Sequence, residues 1–126
     1  MRFLDRFRDW NDVVEYSARA VIFTEREPAD VMYVVIKGEV ELTLHGEPLG
    51  AEAEGGIIGE MAMINATTRS ATATSLTKVK LARLDREQFK VLVGENADFA
   101  LHVMAVLANR LRAVNEHITS QLARQR

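Results

Sequence analysis

The chain has 126 residues, the size of one domain with a single hydrophobic core, and we expect one domain over 1–126. Its composition, 48% hydrophobic and 27% charged, is ordinary for a soluble globular protein. A formal charge of −2 gives no strong positive field for nucleic acid, and the lack of cysteine excludes disulfides and thiolate metal ligands. No apolar run approaches the roughly 20 residues of a membrane helix, and the polar start is unlike a secretory signal. We therefore expect a cytoplasmic protein that binds neither DNA nor membrane.

The first 16 residues carry apolar side chains at helical spacing, namely Phe3, Leu4, Phe7, Trp10, Val13 and Val14. This spacing predicts an N-terminal helix over 1–16. We interpret it as a short amphipathic cap over the end of a sheet.

Between 17 and 84 the apolar pattern changes to a period of two. Short strands are predicted at 20–23, 31–36, 39–44 and 70–76, and around Val79 and Leu81. The strand over 39–44 alternates cleanly and places Val40, Leu42 and Leu44 inward. Lys37-Gly38 is predicted as a hairpin turn and 45–48 as the next turn. Many short strands with glycine turns predict an antiparallel sandwich, barrel or roll.

From 85 to 126 the pattern is helical. The run Asp85-Arg86-Glu87-Gln88 resembles a capping box, and Gly94 is predicted to stop this helix. A second helix is predicted from near Asn96 toward the end. Its apolar positions follow steps of four and three: Ala100, Met104, Leu107, Leu111, Val114 and Ile118. This heptad seam predicts a homodimer through the C-terminal helix; packing of the stripe on the chain's own β-roll is the alternative.

The segment 55–72 has features unusual for a β protein. Good helix formers at 60–63 follow a glycine-rich approach, which predicts one helical turn whose free N–H groups form an anion site. Arg69 can hold two phosphate oxygens with its fork, and the hydroxyl of Ser70 can donate a third bond. Glu60 at the same turn is suited to accept from sugar hydroxyls. Together, arginine for phosphate and carboxylate for ribose describe a nucleotide monoester.

This segment resembles the phosphate-binding cassette of the cyclic-nucleotide-binding domain family. The family pattern Gly-Glu-x-Ala, a short loop and Arg-Ser-Ala is matched by Gly59, Glu60, Ala62, Arg69, Ser70 and Ala71. The resemblance extends to 32–40, to 85–89 and to the long terminal helix, and covers about 17 to 118. It implies a mainly β fold with flanking α-helices: an antiparallel β-roll (double-stranded β-helix or jelly roll) over 17–84, with helices over 85–126.

The resemblance also implies a role for each cassette residue. Glu60 would bind the ribose 2′-OH, while Arg69 and Ser70 would bind the cyclic phosphate. Backbone N–H groups near Ala62 and Ala71 would complete the cradle.

Further ligand contacts are implied beside these. Gly59 would let the backbone approach the sugar, with Met61 in the same turn, and Leu42 would line the purine pocket. On the long helix, the positions aligned with the family's base-contacting residues are Val114 and Asn115. Asn115 is the better candidate of the two to reach the base, with Arg110 nearby.

The sequence departs from the family pattern at three places. Thr68 replaces a proline before the arginine, Gly56-Ile57 replaces an acidic and aromatic pair, and Ala29 replaces a turn glycine. None of these changes removes a ligand-contacting side chain.

The resemblance implies a regulatory sensor for cyclic AMP, with cyclic GMP as the second possibility, because Ser70 rather than threonine follows Arg69 and no guanine-specific donor is visible. No effector domain is expected in the chain, so an unknown protein effector or dimer rearrangement would carry the signal. The alternative is a ligand-free, degenerate domain that acts as a dimerisation or protein-interaction module.

Enzymatic and metal chemistry are not expected. The histidines His45, His102 and His117 are interpreted as surface residues, too few and too scattered for a metal-dependent barrel enzyme. Ser70 has no histidine in plausible sequence company, so nucleophilic catalysis is unsupported. We expect no catalytic residues, no metal and no cofactor.

Overall fold

The computed structural model of the protein describes residues 4–65 and 67–124. The strands of this part are Val13–Tyr16 (β1), Val21–Phe23 (β2), Val31–Lys37 (β3), Val40–Leu44 (β4), Glu47–Glu52 (β5), Ile57–Ile58 (β6), Thr72–Ser75 (β7) and Val79–Asp85 (β8). Its helices are Leu4–Arg8 (α1), Met61–Ile64 (α2), Arg86–Glu95 (α3) and Ala97–Arg124 (α4). The strands form two antiparallel sheets with the orders β1-β8-β3-β6 and β2-β7-β4-β5. The predicted mainly β fold with flanking helices is confirmed.

Strand β3 lies at the centre of the packing because both of its faces are buried. Tyr33 and Val35 belong to an apolar cluster with residues of the second sheet. Met32 and Val34, which alternate with them, pack in a second cluster with residues of all four helices. The roll therefore has one core between its sheets and another beneath the helices.

The predicted N-terminal helix over 1–16 is wrong beyond Arg8, and positions 1–3 lie outside the described residues. Residues 13–16 form β1, which pairs with β8 from Val13 opposite Ala82 onward. The indole N–H of Trp10 donates to the carbonyl of Arg83 at 2.7 Å, which directs the chain toward this edge. Pairing with β8 thus outweighs the helical spacing of the apolar residues.

The predicted hairpin at Lys37-Gly38 is also wrong. The chain turns there, with φ +94° at Gly38, but β3 and β4 belong to different sheets. A Cβ on Gly38 would lie 2.4 Å from the carbonyl oxygen of Lys78, so glycine is required for this crossing. The turn predicted at 45–48 is confirmed: in the structure His45 and Gly46, both with positive φ, form a two-residue hairpin that joins β4 to β5.

The C-terminal helices begin where the sequence predicts. The capping box of α3 is confirmed, since Asp85 and Gln88 each accept a hydrogen bond from the other's backbone N–H. Gly94 does not stop α3, which runs on to Glu95. Asn96 ends that helix and its side chain accepts from the N–H of Phe99 at 3.1 Å, which starts α4.

Helix α4 packs on the roll only along its first part. Phe99, Val103 and Val106 are buried, whereas Leu111, Ile118 and Leu122 are exposed. Taken singly, none of the helices described is both long and apolar enough to cross a membrane; α3 and α4 meet that test only as a pair bent by 114°.

Candidate functional site

A cavity of about 350 Å³ lies between the roll, the α2 turn and α4. Its walls contain Phe23, Leu42, Leu49, Gly59, Glu60, Met61, Ala62, Thr68, Arg69, Ser70, Ala71, Leu107, Arg110, Leu111 and Val114. All of the site residues named from the sequence are therefore brought together here, with the exception of Asn115. The volume falls within the range of small-molecule pockets, about 300–1,000 Å³.

Arg69 enters this cavity from a segment that is firmly held. Its backbone N–H donates to the carbonyl of Glu27, and its own carbonyl accepts from Arg26, both at 2.8 Å. Thr68 forms an isolated bridge with Pro28. The backbone before the arginine is therefore fixed by pairing, although Thr68 stands where the family pattern has proline.

The guanidinium of Arg69 is oriented by the roll beneath it. Its Nη1 donates to the carbonyl of Val31 at 2.7 Å, and its Cζ lies 4.2 Å from the ring centroid of Phe23. Burial lowers the pKa of Arg69, and nearby Tyr33 and Asp30 oppose this effect. No described carboxylate lies within 4.0 Å of this guanidinium. The arginine therefore enters the cavity as a cation without an ion-pair partner in the described chain.

Gly59 makes room for this cation. Its φ is +75°, and a Cβ at this position would lie 2.5 Å from Nη1 of Arg69. The sequence predicted that Gly59 lets the backbone approach a sugar; the structure shows that it also lets the backbone approach the guanidinium.

Glu60 is the most deeply buried charged side chain of the site, with 1% of its surface exposed. Its Oε1 accepts a hydrogen bond from Nη1 of Arg110. Its Oε2 has no hydrogen-bond partner among the described residues. A buried carboxylate oxygen without a donor is unfavourable by about 1–3 kcal/mol or more, so this atom is suited to accept from a bound hydroxyl.

Arg110 reaches the site from α4. Besides Glu60, it donates through Nη2 to the carbonyl of Ile57, and Nη2 lies 3.8 Å from Oε1 of Glu52. Burial lowers the pKa of Arg110, and Glu52 opposes this effect. The sequence proposed a base contact for Arg110; in the structure its guanidinium lies on the Glu60 carboxylate instead.

Asn115 is not brought into the cavity. It is exposed on α4, while its neighbour Val114 lines the wall. One residue along a helix turns a side chain by about 100°, which takes Asn115 off the face that carries Leu107, Leu111 and Val114.

The α2 turn is confirmed as a single helical turn, but its N–H groups are partly used. The N–H of Ala62 donates to the carbonyl of Gly59 at 3.3 Å, and that of Met63 to Glu60 at 3.0 Å. Ser70 is exposed at the cavity wall, and Ala71 is buried beside it. The charged groups of the cavity are therefore the side chains of Arg69, Glu60 and Arg110.

Sequence reasoning did not assign six wall residues: Phe23, Leu49, Thr68, Leu107, Leu111 and Val114. Leu107, Leu111 and Val114 were placed in a dimer seam, yet they also face the chain's own cavity. Their recurrence at helical spacing was the only sequence pattern that could have located them.

The histidines take different positions. His45 is exposed and its Nδ1 lies 3.4 Å from Glu25. His102 is half-buried, 2.7 Å from the carbonyl of Gly55, so its interpretation as a surface residue is wrong. The side chain of His117 lies outside the described part. Within that part, no group of three or more His, Asp or Glu is placed to hold a metal ion.

This fold and this pair of buried charges define a β-roll with a charged, ligand-sized cavity. Residues 13–96 match the family model of the cyclic nucleotide-binding domain, and the chain belongs to that family. The matched range contains the whole cassette but ends before α4, so Arg110 lies outside it.

Particular relatives agree with this family. The chain is 33% identical over 91 residues to a cAMP-dependent protein kinase regulatory subunit of Emericella nidulans, covering 71% of this chain and 22% of that protein. It is 26% identical over 111 residues to a CRP-like cAMP-activated global transcriptional regulator of Mycobacterium tuberculosis, covering 83% of this chain and 49% of that protein. The chain thus spans about half or less of these curated relatives. The Thermus thermophilus catabolite activator protein superposes with a TM-score of 0.74 at 26% identity, covering 95% of this chain and 59% of that one.

Proposed function

We propose that this domain binds a cyclic mononucleotide, cyclic AMP, as a regulatory sensor. One observation carries the proposal: a single cavity contains a buried guanidinium with no described carboxylate beside it and a buried carboxylate oxygen with no described donor. An anion and a hydroxyl on one small ligand would satisfy both groups.

The phosphate would lie on Arg69. The bond to Val31 and the stacking on Phe23 hold the guanidinium plane before the ligand arrives, so little ordering is required on binding. An arginine fork matches two phosphate oxygens, and Ser70 at the same wall would donate a further bond.

The ribose would lie on Glu60. Arg110 occupies Oε1, which leaves Oε2 to accept from the 2′-OH. A ligand without this hydroxyl would leave Oε2 buried and unpaired, which is the basis of discrimination by buried polar groups.

The base would lie against apolar side chains. Leu42 and Leu49 come from the roll, and the α4 wall contributes the apolar Leu107, Leu111 and Val114. These side chains offer no hydrogen bond to a guanine amino group, which supports cyclic AMP over cyclic GMP. Two relatives carry cAMP in their names, in agreement with this preference.

The signal would leave through α4. This helix carries Arg110 and the apolar wall, so a ligand that favours one arrangement of α4 would shift its population. Met104, Leu111 and Ile118 recur every seven residues and are 62%, 62% and 49% exposed, which supports a homodimer along α4. A protein effector and a cytoplasmic location stay predictions, and we propose no enzymatic activity.

Calorimetric titration with cyclic AMP, cyclic GMP and 5′-AMP tests the proposal. We expect cyclic AMP to bind more tightly than cyclic GMP, and linear 5′-AMP to bind worst because the second negative charge of its phosphate would find no further unpaired cation among the described residues of the cavity. Absence of binding at millimolar cyclic AMP, in protein shown to be folded by circular dichroism, would overturn it. A dimer in that same sample would then favour the dimerisation module.

A further inference from the structure

We propose that Glu52 is a positioning residue of this site: it holds Arg110, and through Arg110 it orients the Glu60 carboxylate. The inference rests on the proposed function, because the property that it explains is recognition of the ribose hydroxyl by Glu60. Glu52 lies on β5, outside the cassette.

The first observation is the placement of one guanidinium between two carboxylates. Nη1 of Arg110 donates to Glu60, while Nη2 lies 3.8 Å from Oε1 of Glu52. All three side chains are largely buried, with exposed fractions of 1% for Glu60, 18% for Glu52 and 23% for Arg110. Because these charges are close together and largely shielded from solvent, they interact much more strongly than a pair of charges on the surface.

The second observation is a space on the far side of Arg110. A cavity of about 210 Å³ lies between β5 and α4 and shares the Arg110 wall with the nucleotide cavity. Asn109 and Glu52 are its other polar side chains, and Asn109 accepts from Arg112 at 2.6 Å. With open volume on this side, an anion beside Nη2 would help the hydrogen bonds to Glu60 and Ile57 to keep the long arginine side chain in one orientation. Glu52 is the anion placed to do so.

The third observation is the room made for Glu52. A Cβ on Gly56 would lie 2.8 Å from Cβ of Glu52 and 3.2 Å from its carboxyl carbon. The glycine that replaces an acidic residue of the family pattern therefore leaves space for another acidic side chain, four positions earlier.

The energetics agree with a role in binding rather than in stability. Burial raises the pKa of Glu52, whereas Arg110 and His102, which face it from α4, lower it. Since burial is the largest of these effects, the ionised carboxylate is unfavourable in its surroundings. A buried ion pair of this kind is weak evidence for stability, and orientation is the better explanation for it.

The test compares cyclic AMP with 2′-deoxy cyclic AMP in wild type, Glu52→Gln and Glu54→Gln. Glu54 is the matched control, because it lies two residues away, is 57% exposed and pairs only with Arg8, at 3.9 Å, among the described ion pairs. We expect Glu52→Gln to weaken cyclic AMP binding about five- to tenfold, the size of a coupling between residues in one network. Binding of the deoxy nucleotide should change less than twofold, and Glu54→Gln should alter neither.

The outcomes separate this inference from the proposed function. An equal loss for both nucleotides means that Glu52 acts on the whole pocket, and an unchanged affinity means that it does not act; either result overturns the positioning role. If wild type binds neither nucleotide, the proposed function fails and the ribose-orienting role fails with it.

A ligand-free measurement then decides whether Glu52 holds Arg110 at all. The side-chain ¹⁵N resonances of Arg110 should show slow guanidinium rotation in wild type and faster rotation in Glu52→Gln, with Arg69 as the unaffected internal reference. Unchanged rotation would overturn the contact itself.

Discussion

Removal of the Arg69 side chain is the most direct perturbation of this site. In the ligand-free protein, Arg69→Ala deletes a charge-assisted bond to Val31, about 1.5–3 kcal/mol, and the contact with Phe23, up to about 2 kcal/mol when desolvated. The mutation also removes a buried charge whose pKa is lowered by burial, which offsets part of this loss. We therefore expect the free energy of unfolding to fall by about 1–2 kcal/mol, with the fold retained.

The effect of Arg69→Ala on binding should be larger. An anion left in a buried site without its partner is disfavoured by about 3–5 kcal/mol. Because each 1.4 kcal/mol is tenfold, cyclic AMP affinity should fall roughly a hundredfold or more. Arg69→Lys keeps the charge but loses the fork, so its affinity for cyclic AMP should lie between those of wild type and Arg69→Ala.

Urea denaturation and calorimetry measure these two effects of Arg69→Ala separately. Arg112→Ala is the matched control: it removes the same side chain from an exposed position on α4, where Arg112 contacts Asn109. A folded Arg69→Ala protein that binds cyclic AMP within threefold of wild type would refute the assignment of the phosphate to Arg69.

Three further predictions follow from other contacts. Gly59→Ala places a Cβ 2.5 Å from the Arg69 guanidinium at φ +75°, so we expect lower stability in urea and at least tenfold weaker cyclic AMP binding by calorimetry. Ile118→Glu should shift the proposed dimer to monomer in sedimentation velocity without loss of circular dichroism signal, whereas Gln121→Glu, with the same charge change, should not. Burial raises the pKa of Glu52 above 4.5, so protonation of this carboxyl favours the folded state. This contribution to the free energy of unfolding is complete below pH 4.5 and is lost as the pH rises through the folded pKa; urea titrations of Glu52→Gln should lack this fall.

The strands with a clear pattern were predictable, and those made by pairing were not. The cleanly alternating strand over 39–44 and the apolar run over 31–36 both appear, as β4 and β3. Strand β5 contains a proline and a glycine, and β6 has only two residues. These strands exist because β4 and β3 lie beside them. Local propensity is a weak guide where the partner strand decides.

The identity of neighbouring strands could not be read from the turn between them. Gly38 has the positive φ expected of a hairpin, yet it carries the chain from one sheet to the other. The same residue type serves both purposes, since each needs only a left-handed backbone. The close approach to Lys78, forty positions along the chain, distinguishes the two cases, and it is not a local property.

The site shows the same division. Glu60 and Arg69 lie within ten positions of each other, so one motif located both. Arg110 was named through the resemblance of the long helix, but its bond to Glu60 was not. That bond, and the approach of Glu52 to Arg110 from β5, arise from tertiary packing. A sequence pattern identifies the groups that would touch the ligand; it does not identify the groups that hold them.

Leu111 illustrates why the α4 stripe allowed two interpretations. It lines the nucleotide cavity, yet 62% of its surface is exposed, so neither interpretation of the stripe excludes the other. In the proposed function a ligand would bury one side of Leu111 and a second copy of the chain the other. Each binding event would then change the surface offered to the other, and linkage requires the two effects to be equal in free energy. Cyclic AMP affinity should therefore depend on protein concentration across the range in which the dimer forms, and Ile118→Glu should remove that dependence while it leaves the cavity wall intact.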